Sequence, residues 1–184
     1  MSESLSTVSS ISHLLLPHPR RSSLLLLPEQ AGWALPKVTP KDPHFGVVAH
    51  LNEAVQQNLG LGVIPLRSLG DDWQSGVTDI NSVNELENLT SDTRPPDGGR
   101  WVEWNDVATL PLAWPQHRAY LDNWFREQAN GRPDARRAWA RPGWFRDVSA
   151  WMAQQARETG GTPVGAVRQL RSWERSTVLQ LGTP

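Results

Sequence analysis

The chain has 184 residues, of which 38% are hydrophobic and 20% charged, as in a globular protein with one domain and a short appendage. Its net charge of −1 argues against bulk attraction to nucleic acid or to a membrane surface. Because cysteine is absent, a disulfide framework, a thiolate nucleophile and a cysteine-ligated zinc site are excluded. No apolar run is long enough for a signal core or a membrane span, so we expect a cytoplasmic protein.

Charged and aromatic residues are distributed unevenly along the chain. Residues 1–130 hold 15 acids and 9 bases, whereas residues 131–184 hold 4 acids and 9 bases, which gives the tail a net charge of +5. The chain has 10 tryptophans against 1 tyrosine and 3 phenylalanines, which indicates large flat apolar surfaces. We therefore expect the basic, tryptophan-rich tail to bind a protein partner or to support self-association.

The first predicted elements are strands. Apolar runs at residues 11–16 and 23–27 predict two strands joined by a turn, and residues 33–35 predict a third strand that ends at Pro36. A proline-containing loop then leads to a helix that begins near His44.

This helix is predicted to be amphipathic. Its polar face carries His50, Glu53 and Gln57, and Gly60 is expected to end it in a left-handed conformation. The opposite stripe is predicted to face a core because apolar residues recur every four positions, at Val47, Leu51, Val55 and Leu59.

The remaining elements alternate between strands and helices. Residues 61–69 predict a strand that Pro65 confines to a sheet edge or a bulge, and residues 83–89 predict a weaker strand. Residues 100–104 predict another strand, with Asn105-Asp106 as a cap before a short turn. The last predicted elements are a helix from Trp114-Pro115 to about Gln128, a helix over residues 144–159 and a strand pair over residues 167–181.

The order of strand, loop, helix, glycine and strand resembles the Nudix hydrolase family. The family box reads Gly, five residues, Glu, seven residues and then Arg-Glu-x-x-Glu-Glu-x-Gly, and it usually follows a Leu-Pro-Gly-Gly turn. Here Leu35-Pro36 is kept, but Lys37-Val38 stands where the two glycines would be. The strand at residues 100–104 and the helix after Trp114-Pro115 resemble the way Nudix domains close. The resemblance implies a Nudix-type α/β/α sandwich with a mixed sheet.

The box has lost most of its carboxylates. Counted back from Gly60, Glu53 takes the Arg position, Ala54 takes the first Glu position, and Gln57-Asn58 replaces the Glu pair.

A second alignment places one inserted residue before the glycine. It puts Asn52-Glu53 at Arg-Glu and Gln56-Gln57 at Glu-Glu. Under either alignment at most one carboxylate survives. In the family these glutamates hold divalent cations that bridge a diphosphate and activate water, and magnesium is normally anchored by carboxylates.

The sequence therefore favours a Nudix-fold protein that binds a ligand or a partner without catalysis, in a regulatory or scaffolding role. We expect no metal site and no cofactor, and the ligand would be a nucleotide or another phosphorylated small molecule. Glu53 is the one weak catalytic candidate. The candidate ligand-binding residues are Trp33, Lys37, His50 and Trp104.

Two alternatives stay open. One is a divergent hydrolase that uses magnesium and takes its acids from elsewhere in the chain, such as Asp71, Asp72, Glu85 or Glu87. The other is an N-terminal fragment of a phosphotransferase-like protein. The helix that begins at Pro142-Gly143-Trp144-Phe145 and the strand with Ser172-Trp173-Glu174-Arg175-Ser176 resemble the junction that precedes an aminoglycoside-phosphotransferase-like domain. In both cases we divide the chain into a Nudix-like domain over residues 1–130, an Arg/Pro-rich linker over residues 131–143 and an appendage over residues 144–184.

Overall fold

The computed structural model describes residues 9–41, 46–71, 79–91, 94–96, 98–131, 133 and 135–182. Its strands are β1 (Ser9–Leu15), β2 (Leu24–Glu29), β3 (Gly32–Ala34), β4 (Lys37–Val38), β5 (Val63–Asp71), β6 (Asp79–Asn88), β7 (Arg100–Val102), β8 (Val164–Trp173) and β9 (Ser176–Gly182). Its helices are α1 (Ala49–Leu59), α2 (Trp104–Val107), α3 (Arg118–Asn130) and α4 (Trp144–Glu158), with short 3-10 turns at Pro115–His117 and Ala138–Ala140.

The main sheet has four strands in the order β4-β1-β6-β5. It is mixed, because β1 runs parallel to β6 while β1–β4 and β5–β6 are antiparallel. β5 forms an edge of the sheet, and its register shifts between Pro65 and Arg67. The predicted effect of Pro65, which cannot donate to a ladder, is therefore confirmed.

A second sheet has three antiparallel strands in the order β3-β2-β7. The predicted turn between β1 and β2 exists, but the two strands belong to different sheets. Pro17 bridges Leu24, and the Leu25 N–H donates to the Leu16 carbonyl at 3.0 Å. The chain thus passes from one sheet to the other at this corner.

Helices cover both faces of the main sheet and bury separate apolar clusters. On one face, Leu51 and Val55 of α1 pack with Leu14 and Val38. On the other, α3 packs against the sheet with the apolar side chains Leu15, Val83, Leu121 and Phe125. Alternate residues of a strand point to opposite faces, so β1 contributes to both clusters. The predicted α/β/α sandwich with a mixed sheet is confirmed.

Two predicted element starts are wrong. α1 begins at Ala49, several residues after His44, because Gly46 has a φ of 82° and Val47 forms a bridge with Arg171. His44 itself lies outside the described residues. Similarly, Glu103 is the residue that precedes α2, and Asn105-Asp106 lies inside that helix.

The tail contains α4 followed by the β8–β9 hairpin, as the sequence predicts. None of the α4 side chains is fully buried, although apolar residues line one of its faces.

Gly60, the predicted left-handed stop of α1, has a φ of 70° and confirms that prediction. Within the described residues, no helix is both long and apolar enough to cross a bilayer.

Candidate functional site

The site to which the sequence directs attention is the polar face of α1. The helix reads AHLNEAVQQNL and carries one carboxylate, Glu53. Leu51, Ala54 and Val55 are buried, while Glu53 and Gln57 are exposed, so the predicted division of the helix into faces is confirmed. Ala54, which stands at the first Glu position in one alignment, therefore points into the core.

Glu53 lies among side chains that satisfy its charge. Its Oε1 lies 3.6 Å from Arg168 Nη2, and its Oε2 lies 3.9 Å from His50 Nδ1. About half of each of the Glu53 and Arg168 side chains is exposed (55% and 61%), so this ion pair contributes little stability. The contact nevertheless brings the tail to the helix.

The β8 strand of the tail also pairs with the backbone immediately before α1. The Val48 N–H donates to the Leu170 carbonyl at 3.1 Å, and the Ser172 N–H donates to the Gly46 carbonyl at 2.9 Å. Gln169, 2% exposed, donates through Nε2 to the Pro65 carbonyl of β5 at 3.3 Å. The hairpin is therefore anchored to both the start of α1 and the edge strand.

The described residues around α1 do not fit a carboxylate-anchored metal pair. No group of three or more His, Cys, Asp or Glu residues suited to a metal ion occurs in the described part of the chain. Glu85 of β6 is paired with Leu15 of β1, whose side chain packs in the apolar cluster under α3. Glu85 therefore lies on the α3 face of the sheet, where it contacts Arg67 and Arg136. Because side chains alternate along a strand, Glu87 points the same way as Glu85.

Two of the other proposed acids, Asp71 and Glu87, lie on strands of the main sheet. Glu87 accepts a hydrogen bond from the Gly143 N–H at 2.8 Å, and Asp71 is exposed at the end of β5. Asp72 lies outside the described residues.

The four predicted ligand-binding residues have different neighbours. Arg100 lies over the Trp33 ring, 5.2 Å from its centroid, and Lys37 Nζ lies 2.6 Å from Glu29 Oε1. His50 lies on α1, whereas Trp104 begins α2 and its ring is 5.6 Å from that of Phe125. Trp33 and Lys37 are close in sequence on β3 and β4, but their assignment as ligand contacts stays a prediction.

A buried cluster beside Lys37 was missed by the sequence reasoning. His13 and His117, 1% and 5% exposed, have ring centroids 4.5 Å apart, and Trp114 packs against both. Trp114 Nε1 donates to Glu29 Oε2 at 3.2 Å, which links this cluster to Lys37. The signal that could have found it is His13, a polar residue within an apolar run.

Burial controls ionisation in this cluster. It lowers the pKa of His117 from 6.5 to about 4, an effect that the neighbouring His13 strengthens and Glu29 opposes. The hydrogen bond from Lys37 lowers the pKa of Glu29 below its ordinary value, although burial acts in the opposite direction. His117 is therefore neutral at pH 7, and its Nδ1 is buried without a hydrogen-bond partner among the described residues.

The strongest electrostatic feature lies on the α3 face. Arg67 Nε lies 2.5 Å from Glu85 Oε2, and Arg67 Nη2 lies 2.9 Å from Glu127 Oε2. Arg136 contacts both acids, with Nη1 at 3.3 Å from Glu85 Oε1 and Nη2 hydrogen-bonded to Glu127. Glu85 and Arg136 are 1% and 8% exposed, so a residue of the predicted linker is buried in the domain. The division into domain, linker and appendage otherwise stays a prediction.

Comparisons with known proteins identify the fold. No family model and no curated protein matches the sequence. A Nudix hydrolase from Nitrosomonas europaea superposes with a TM-score of 0.51 at 13% identity, covering 68% of this chain and 74% of that one. A Nudix-family hydrolase from Clostridium perfringens gives a TM-score of 0.50 at 8% identity, with 64% of this chain and 96% of the other covered.

A third similar structure comes from Sinorhizobium meliloti 1021 and is described as an oxidoreductase. It has a TM-score of 0.51 and 16% identity over 66% of this chain. The chain spans 40% of the length of that protein. At these identities the similarity to the three structures shows a shared fold.

Proposed function

Since the chain has the fold of the Nudix hydrolases, we propose that it is a non-catalytic member of that fold that binds a ligand or a partner and serves as a scaffold. The observation that carries the proposal is the use of the α1 region. A hydrolase of this fold would need several carboxylates there, but α1 supplies Glu53 alone. Arg168 of the tail contacts that carboxylate, and β8 hydrogen-bonds to Gly46 and Val48 just before the helix.

In this arrangement the α1 region has a structural role, which is to attach the tail. Two backbone hydrogen bonds and one ion pair attach the tail, and Gln169 adds a buried contact to β5. The hairpin alone, with two strands, would be marginally stable in water. The α1 region is thus proposed to hold the tail in a fixed position for binding.

The surface of the tail supports the partner half of the proposal. Among the described residues of the tail, Trp151 and Trp173 are 58% and 39% exposed. Exposed cations of the tail outnumber its exposed acids Asp147, Glu158 and Glu174. The cations are Arg137, Arg141, Arg146, Arg157, Arg168, Arg171 and Arg175. A protein partner with an acidic surface and an apolar centre would complement this tail.

The ligand half of the proposal concerns a nucleotide or a similar phosphorylated molecule near Trp33 and Lys37. An indole can stack on a base and an ammonium can contact a phosphate. A thermal-shift screen of nucleotides, with and without divalent metal, tests this half because a ligand that binds the native state raises the melting temperature. We expect the shift to be independent of metal and to shrink in Lys37→Gln.

The test of the non-catalytic assignment is a turnover assay. Incubation of the intact protein with a panel of nucleoside diphosphate derivatives and magnesium or manganese should release no product above the buffer rate. Metal-dependent hydrolysis that disappears in Glu53→Gln would overturn the proposal and establish the divergent-hydrolase alternative. Hydrolysis that survives in Glu53→Gln would also overturn it, since the acids would then come from elsewhere.

A further inference from the structure

A cleft of about 270 Å³ lies on the α3 face of the main sheet, away from α1. It lies between β5 and α3, and none of the predicted ligand-binding residues lines it. Its lining residues are Arg67, Leu69, Tyr120, Asn123, Trp124, Arg126 and Glu127. The volume corresponds to roughly nine water molecules, which is enough for a compound with a single ring.

The backbone of β5 is irregular beside this cleft. Its register against β6 shifts twice, between Pro65 and Arg67 and again between Ser68 and Gly70. Such irregularities redirect side chains and occur next to functional sites more often than elsewhere in sheets. A Cβ atom at Gly70 would lie 2.5 Å from the Tyr120 hydroxyl, so glycine permits the close approach that brings this ring to the strand.

The polar groups of the cleft favour an anion. Arg67 is held by Glu85 and Glu127 through Nε and Nη2, which leaves the N–H donors of Nη1 without a hydrogen bond among the described residues. A guanidinium fixed in this way loses little further freedom when it binds a ligand. Arg126 is exposed at the rim, where its Nη1 donates to Asn123 Oδ1 at 2.9 Å.

The charge balance of the region agrees with this preference. Glu85 and Glu127 are neutralised by Arg67 and Arg136, so Arg126 leaves an excess of one positive charge. These five groups would therefore attract a small anion weakly.

One wall of the cleft is apolar. Trp124 lines it and is 3% exposed, and because its Nε1 is buried the ring offers apolar surface to the cleft. Leu69 and Tyr120 add apolar surface beside it. An apolar wall with donors at its margin suits a ring that carries an oxyanion.

We propose that this cleft binds a small aromatic acid, with the oxyanion held by Arg67 and Arg126 and the ring packed against Leu69, Tyr120 and Trp124. The site is separate from the α1 region, and the inference does not depend on the absence of catalysis there.

The test is an NMR titration of the intact protein that follows the indole N–H signals, with Trp124→Phe used to assign the signal of Trp124. The probes are phenyl phosphate and benzoate, with benzyl alcohol as the neutral control and inorganic phosphate as the control without a ring. We expect saturable shifts of the Trp124 signal with both acids, at dissociation constants of about 1 mM for ligands of this size.

Variants then locate the site. Arg126→Gln removes an exposed cation without disturbing the buried charges, and it should weaken binding by about tenfold. Arg20→Gln, in the exposed turn between β1 and β2 and outside the cleft, is the matched control and should bind as the native protein does.

Three results would overturn the inference. They are a Trp124 signal that does not move, equal binding by Arg126→Gln and the native protein, and equal binding of benzyl alcohol and the acids. None of them bears on the turnover assay, so failure of this inference and failure of the proposed function are distinguishable.

Discussion

The two faces of the main sheet use acidic residues in opposite ways. On the α1 face, Glu53 is the one acid of the helix, and more than half of its side chain is exposed. On the α3 face, Glu85 is 1% exposed and shares two arginines with Glu127. The resemblance to the Nudix box implies acids on the first face, yet the most buried carboxylate described, Glu85, lies on the second. The number of acidic residues in the sequence therefore does not indicate a catalytic site. Each acid must first be assigned to the α1 face or the α3 face of the main sheet.

The largest predicted effect follows from this contrast. Glu85→Gln would remove the charge that compensates two arginines, of which Arg136 is buried, and we expect a loss of about 3–5 kcal/mol in the free energy of unfolding. Urea denaturation measures it. Glu53→Gln is the matched control on the other face, and because its ion pair is exposed it should change stability by no more than about 1 kcal/mol. Similar losses of unfolding free energy in the two variants would contradict the proposed difference between the α1 and α3 faces.

A second prediction concerns pH. His117 on the α3 face has a folded-state pKa of about 4, against 6.5 in the unfolded chain, so the unfolded state binds more protons between these values. Stability is then fully present above pH 6.5 and falls as the pH decreases towards 4, by about 3 kcal/mol in total. Three titratable residues lie near His117. His13 on β1 lowers the pKa of His117 and Glu29 on β2 raises it, while Lys37 on β4 pairs with Glu29.

The measurement is urea denaturation at a series of pH values. His117→Gln should lose most of this dependence and keep a residual part, because burial and the two nearby arginines also lower the pKa of His18. Gln57→Ala, an exposed substitution on α1 that removes no titratable group, should retain the slope of the native protein. If His117→Gln keeps the full slope, the buried imidazole is not its source.

A smaller effect is expected where the tail meets α1. Gly46 has a φ of 82°, and a Cβ there would lie 2.9 Å from the Trp173 ring, so Gly46→Ala should destabilise the junction by about 1–2 kcal/mol. Hydrogen exchange should show faster exchange of the Val48 and Ser172 amides, which bond across the junction. Gly60→Ala is the control, because its φ of 70° imposes a similar strain in open space. Unchanged exchange in Gly46→Ala would mean that the tail is not anchored there.

Much of the fold follows from the sequence because its signals are local. The four-residue spacing from Leu51 to Leu59 places α1 on a core, Gly60 ends it, and Pro65 sends β5 to an edge. These features depend on periodicity and on backbone chemistry.

The site was less predictable because its partners are distant in sequence. Glu85 meets Arg136 across 51 residues, and Glu53 meets Arg168 across more than 100. Periodicity does not reveal such pairs. The same reason explains why Arg136 was placed in a linker and why the His13–His117 contact was missed.

We propose that the α1 face supports the tail and holds no catalytic metal. Titration of the intact protein with Mn²⁺, followed by paramagnetic broadening of backbone amide signals, tests it most directly. We expect signals around Glu53 to broaden no more than those around Asp106, an exposed acid on α2. Selective and saturable broadening at Glu53, abolished by Glu53→Gln, would contradict it.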